Sequence, residues 1–328
     1  MTERENFLRV INFDNPEWVP TDVPFYLLHY QGCNHEGYAG GGHDCPVGTK
    51  WVDIWGTEWH KGHADVMGFP RGNPLAEVEN LAEYQWPNPN DPRIIGKLQQ
   101  QFAAYTPGDY LLSGSHRDTL WEKAYMLVGM ENMMIYFYEE PEFARTVLHK
   151  IMDFHIGIAR HYLACGIELA FCGDDLGTQT TPLLNPTLVH EFLEPEYERL
   201  FSLYRQHDVI IHFHSCGHIE EFLDMFMRLG VRILNPIQVK ANDLELIRRV
   251  TNGRITLNGG ISTVTLMEGP VEAIQQEVRQ RMWQLGRGGG YICKPDQGMP
   301  WSPENYQAYR DTVADYGRYP LLEATAKS

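Results

Sequence analysis

Alternating apolar β-rich runs and amphipathic helical stretches predict a (β/α)8 TIM barrel with an elaborated N-terminal loop region. Three observations carry this reading. About eight strand-like runs occur in the chain. From about residue 109 onward, helical stretches separate them, which implies parallel strands joined by right-handed crossovers. Most of the runs also end in residues with chemistry: Ser113 and His116, Asp174 and Asp175, His214 and Cys216, Gln238, Asn258, then Cys293 and Asp296. A barrel gathers such ends on one face, whereas an open sheet spreads them along an edge.

Taken in order, residues 2–12 read as a short amphipathic helix. Thr2 is its cap, Phe7, Leu8 and Ile11 share one side, and Pro16 and Pro20 end it. DVPFYLL at 22–28 is a first strand. The stretch 29–75 is rich in Gly, His and Trp, and its GYAGGGHDCPVG segment loses too much backbone entropy to form a regular element. Long ordered loops of this kind tend to be functional, so it is read as a lid or substrate loop. WVDIWGTEW at 51–59 alternates like a hairpin arm and supplies the least regular of the eight strands. A proline-rich connection leads to a helix at 93–104. Thereafter strands are expected at 109–116, 167–177, 209–217, 231–239, 254–262 and 289–298, with helices between them and a last helix at 302–317. No repeat, low-complexity tract or linker interrupts the pattern, so residues 1–328 read as one domain.

Hydrophobic residues make up 43% of the chain and charged residues 21%, which suits a large core and excludes global disorder. The formal net charge of −16 argues against nucleic acid or an anionic membrane as a partner, since both need basic surface. The N-terminus lacks a basic segment followed by an apolar one, and no run of about 18 apolar residues occurs, so the expectation is a cytoplasmic protein with neither leader nor span. Its six cysteines are then reduced core residues, ligands or reactive groups. Oligomeric state is left open, a homo-oligomer included.

VIIHFHSCG at 209–217 carries the sharpest signal. In an extended run His212, His214 and Cys216 share a face. A histidine and a cysteine two residues apart at a strand end offer half of a zinc site, and Cys293, also at a strand end, offers a third ligand. The bland reading is two buried cysteines and a core histidine. A second His-x-Cys, His43 and Cys45, lies near Cys33, His35, His60 and His63, but it lacks a Cys-x-x-Cys pair and sits in glycine-rich sequence. A loop over the barrel mouth fits it better than a second metal. Trp51, Trp55, Trp59 and Trp121 are expected in the core. DFHIGI at 153–158 falls inside an amphipathic helix and is no cofactor signature. GRGGG at 286–290 precedes a strand rather than a helix and is no dinucleotide fingerprint.

These residues resemble the uroporphyrinogen decarboxylase superfamily. More narrowly, they resemble its zinc-dependent branch that includes methylcobalamin:coenzyme M methyltransferases. The resemblance rests on His214, Cys216, Gly217 and Cys293 in GGYICKPDQG, on GDDLGTQTTPLLNP at 173–186, and on ENFLRVINFDNPEWVP, WVDIWGTEW and EYQWPNPNDP in the N-terminal half. It implies zinc on His214, Cys216 and Cys293, a small thiol or methoxy substrate, and a corrinoid carried by a partner protein. It demotes His212 from ligand to supporting residue. Asp174, Asp175 and His212 are the expected catalytic residues, and Gln179, Gln238, Asn258, His116 and Asp296 the expected substrate contacts. The chain departs from true decarboxylases of the superfamily. Residues 20–45 contain no arginine, and a tetrapyrrole with eight carboxylates needs cationic recognition. A decarboxylase or lyase acting on another substrate is the alternative.

Overall fold

The computed structural model describes residues 1–64 and 66–323. The chain opens with α1 (Glu3–Asn12), whose capping box is complete: Glu5 N donates to Thr2 Oγ1, and Thr2 N to the Glu5 carboxylate. β1 (Phe25–Leu28) follows. Then come three short strands, β2 (Lys50–Val52), β3 (Glu58–His60) and β4 (Phe69–Gly72), and helix α2 (Pro92–Ala103). From β5 (Leu111–Asp118) the alternation is regular. Helices α3 (Trp121–Val128), α4 (Met130–Glu139) and α5 (Pro141–Ala164) lead to β6 (Leu169–Gly173). The short α6 (Pro186–Leu188) runs through one π turn into α7 (Glu194–Arg205), then β7 (Ile210–His214). The remainder is α8 (Leu223–Leu229), β8 (Val231–Ile237), α9 (Leu244–Thr251), β9 (Thr256–Ile261), α10 (Thr263–Glu268), α11 (Val271–Gly286), β10 (Tyr291–Pro295) and α12 (Pro303–Tyr316).

Seven strands form one parallel sheet in the order β1-β5-β6-β7-β8-β9-β10, curled with helices outside it, a TIM-barrel-like α/β fold. Cys293 N in β10 donates to Pro20 O (2.9 Å), so the chain just before β1 reaches the last strand. Among the described residues no eighth strand joins this sheet. WVDIWGTEW instead folds on itself as β2 and β3 of a separate antiparallel sheet with β4. The local cause is Asp53, whose carboxylate accepts bonds from Trp55 N, Thr57 N and Trp59 Nε1 and so holds a tight turn between two three-residue arms.

Period-two alternation separates the two faces of the sheet. Leu111, Leu169, Ile233 and Ile292 point inward and pack with Phe7 and Ile11 of α1, which plugs the end where the strands begin. Ile211, Phe213, Leu234, Leu257, Tyr291 and Cys293 point outward into the larger core beneath the helices. The loop between β1 and β4 packs on the end of β5. His35 pairs there with Asp118 and stacks on Trp59, Cys33 Sγ reaches Ser115 O, and Arg117 contacts Asn34 and Met67. Trp55, Trp59 and Trp121 are buried, while Trp51 is half-buried. No described helix is long and apolar enough to cross a membrane.

Candidate metal centre

The site lies where β6 and β7 end side by side. Gly173 pairs with His214, and a Cβ at Gly173 would come within 2.8 Å of the His214 Cβ, so a glycine is required for the two strands to meet there. Beyond His214 the chain leaves the strand. Ser215 N donates to Asn235 O and Ser215 Oγ accepts from Leu176 N. Gly217, at φ +83°, then turns it back. A Cβ there would sit 2.4 Å from the carbonyl oxygens of Gly177 and Thr178. This turn lays Cys216 beside His214, and the Cys216 amide donates to Asp175 Oδ1 (2.8 Å).

Three ligand atoms converge as a result. His214 Nε2 lies 3.3 Å from Cys216 Sγ and 3.4 Å from Asp175 Oδ1, and all three atoms fall within 4.8 Å of one another. Tetrahedral zinc with bonds of about 2.0–2.3 Å sets ligand atoms roughly 3.4–3.6 Å apart, so this donor set fits that ion. Among the described residues it is the one such group of three. The Cys216 thiol is pushed up to about 12, chiefly by burial and then by the charge of Asp175, while Gln297 Nε2, donating at 3.1 Å, opposes the shift. Burial would raise Asp175, but the neighbouring His214 and the Cys216 amide prevail and hold it below the usual carboxylate range. The cluster therefore presents a carboxylate and an imidazole to a thiol that a bound cation would ionise.

A cavity of about 250 Å³ adjoins the cluster, lined by His214, Asn235, Asn258, Lys294, Trp301 and Tyr306 among others. Lys294 points into it and pairs with Asp22. Beneath His214, His212 is buried against Phe171 with no partner for either ring nitrogen, and burial lowers its pKa to about 3.

Cys293 is not in the group. Its side chain lies on the outer face of β10, beneath α11 and α12, because Ile292 and Lys294 take the inward positions on either side. Burial pushes its thiol up to about 12. His116 is likewise turned outward. It shares a face with Gly114, which lies against Tyr162 of α5, and its ring nitrogens meet His155 Nδ1 (2.9 Å) and Tyr204 OH (2.5 Å). Asp174 is buried and saturated. It accepts from Leu120 N, Glu122 N and Tyr197 OH and so fixes the start of α3 to the end of β6. Asp296 accepts from Val239 N and Thr263 N, holding two turns together beside the cavity. Gln238 Oε1 accepts from Gly217 N (2.9 Å) and from Gln179 Nε2 (3.2 Å), so these two glutamines brace the Cys216 turn. Asn258 lines the cavity. Among the described residues, His43 and Cys45 join no group at ligand distance.

Sequence reasoning overlooked Gln297, Asn235 and Lys294. Gln297 follows Asp296 in the same post-strand turn, and Lys294 follows Cys293 on the inward side of the alternation. The period-two pattern that marked Cys293 points to its neighbour once Ile292 is placed inside.

Three comparisons bear on this arrangement. Residues 119–316 match the family model described as uroporphyrinogen decarboxylase (URO-D). A methylated-thiol–coenzyme M methyltransferase of Methanosarcina mazei is 23% identical over 184 residues, which is 56% of this chain. The match spans about half of that relative, 47% of its length. A solved methyltransferase structure from Methanosarcina mazei superposes over 96% of this chain and 99% of its own, with a TM-score of 0.67 at 16% identity, which shows a shared fold. With the family model covering well over half of the residues, this chain belongs to the uroporphyrinogen decarboxylase family.

Proposed function

We propose that this protein is a zinc-dependent methyltransferase that moves a methyl group between a small thiol or methoxy compound and a corrinoid carried by a partner protein. One observation carries the reading: the convergence of Asp175 Oδ1, His214 Nε2 and Cys216 Sγ at the end of two barrel strands, beside a cavity. The methyltransferase relative, a methylated-thiol–coenzyme M enzyme by name, supports the reaction class.

In this reading Asp175, His214 and Cys216 hold the ion, replacing the set that included Cys293. Zinc would supply a thiol activated as thiolate near neutral pH, or polarise a methoxy oxygen. The chain does the rest. Gln297 donates to the Cys216 sulfur and fixes its orientation. Asn235 Nδ2 lies 3.4 Å from His214 Nδ1, on the ring edge away from the ligand atom. His212 stays neutral below and adds no charge to the site. Asn258, Lys294 and the Trp301–Tyr306 pair form the substrate wall.

Stoichiometric zinc in protein purified without chelator, together with methyl transfer between methylcobalamin and a small thiol, is the expected result. Metal-free protein that is fully active would sink the reading. A carboxylate-rich tetrapyrrole is disfavoured as substrate, because residues 20–45 carry no arginine and Lys294, the cation of the cavity lining, is already paired with Asp22.

A further inference from the structure

Among the described residues, two arginines on the face opposite the site stand without counter-charges. Arg248 on α9 is 8% exposed. Its Nη2 donates to the carbonyls of Arg287 (2.7 Å) and Gly289 (3.0 Å), its Nη1 finds no partner, and its plane lies 5.7 Å from the Phe13 ring centre. Arg287 is exposed and rests on Trp283. Burial, and then the nearby charge of Arg287, push the Arg248 guanidinium below its ordinary value, against the influence of Tyr319. Among the described residues neither arginine lies within ion-pair distance of a carboxylate, although the chain carries a net charge of −16. A buried cation without an anion, as Arg248 is, is costly.

The surroundings are shaped to supply that anion. A cavity of about 510 Å³ opens at this point, lined by Asn15, Pro16, Arg287, Gly288, Tyr319 and Leu321. Among the described residues no carboxylate lines it. Arg287 and Gly288 bring the start of the GRGGG turn into its wall, while Gly289 and Gly290, at φ +97° and +67°, pack against Phe13. The Gly289 amide is already spent on Gly286 O (3.0 Å) and the Gly290 amide on Val10 O (2.9 Å), so side chains rather than this turn would meet an oxyanion. β10 begins just after this turn and Asn15 follows α1, so the cavity sits at the end where the strands start.

We propose that this cavity is an oxyanion site that takes a compact dianion of the phosphate class, with Arg287 as its direct contact and Arg248 as the buried charge behind it. Guanidinium groups suit this role because their paired donors match phosphate oxygens. The site is separate from the metal centre and does not depend on the proposed reaction.

Thermal denaturation of the full chain in inorganic phosphate tests it, with sodium chloride at matched ionic strength as control. The midpoint is expected to rise saturably by several degrees, with half-effect on the order of millimolar, and chloride should leave it unchanged. Arg287→Ala, an exposed change that leaves the core intact, should remove the phosphate-dependent part, and Arg287→Lys should retain some of it. A phosphate shift that persists undiminished in Arg287→Ala, that chloride reproduces, or that is absent from the wild-type protein would overturn the proposal.

Discussion

Cys216 occupies a setting in which its thiol ionises only with help. Burial and Asp175 both oppose the thiolate, and one amide from Gln297 is too little to reverse them. A cation changes that balance, because it stabilises the thiolate and is stabilised in turn by the carboxylate. Cys216→Ser should therefore lower zinc affinity more than about 100-fold, beyond the 10- to 100-fold typical of supporting residues, as read by competition with a chromophoric chelator. Cys293→Ala separates the structure from the sequence expectation. Lying under α11 and α12, it should keep its zinc and lose about 1–3 kcal/mol of stability to urea. Zinc loss in that variant would restore Cys293 to the ligand set. At this scale His214 and Cys216 were legible because a strand end, a histidine and a cysteine at a spacing of two identify themselves. Asp175 was legible only as a strand-end acid. Its distinction from Asp174 depends on which of the two α3 and Tyr197 consume, a fact of packing between distant elements.

Strand ends and the turns beyond them decide which side chains reach the site. The turn after β7 depends on Gly217, where φ is +83° and the carbonyls of residues 177 and 178 leave no room for a Cβ. Gly217→Ala should cost at least about 2 kcal/mol, from left-handed backbone strain together with the steric conflict. It should also weaken zinc binding, because Cys216 is its neighbour. A urea midpoint and a zinc titration check the two effects, and unchanged values in both would refute this account of the turn. Seven parallel strands and most helices could be read from periodicity. The arm at 51–59 could not. Alternation alone does not say whether a strand pairs with its neighbour in sequence or joins a distant sheet, and the decisive group was the Asp53 carboxylate holding the turn. His116 was misplaced because position near a strand end does not say which face a side chain takes: with Leu112 and Gly114 it lies on the outer face of β5.

Considered whole, the molecule buries several imidazoles in neutral form. His116 is lowered to about 3 by burial, and His155 beside it is lowered well below the ordinary value, by burial first and then by His116. Unfolded histidines titrate near 6.5, so between that value and about 3 the unfolded chain binds more protons than the folded one. Stability from these groups is complete above pH 6.5 and falls as pH drops below it, by up to about 1.4 kcal/mol per group for each tenfold rise in proton concentration. The thermal midpoint should decline from pH 7 to pH 5, and less steeply in His116→Gln. A flat profile would show that the pair is not held neutral.

The hydrogen bond from Cys293 N to Pro20 O joins the two extremes of the barrel, and α1 fills its floor against strands contributed by the whole length of the chain. A ribosome releases β10 long after α1, so the N-terminal helix must wait, its apolar side unoccupied, until almost all of the sequence has emerged. Such distant closure slows folding and lengthens exposure to aggregation. The refolding rate of this protein should thus be set by the meeting of its first and last strands, and shortening the chain before β10 should leave a species that collapses without ever completing its barrel.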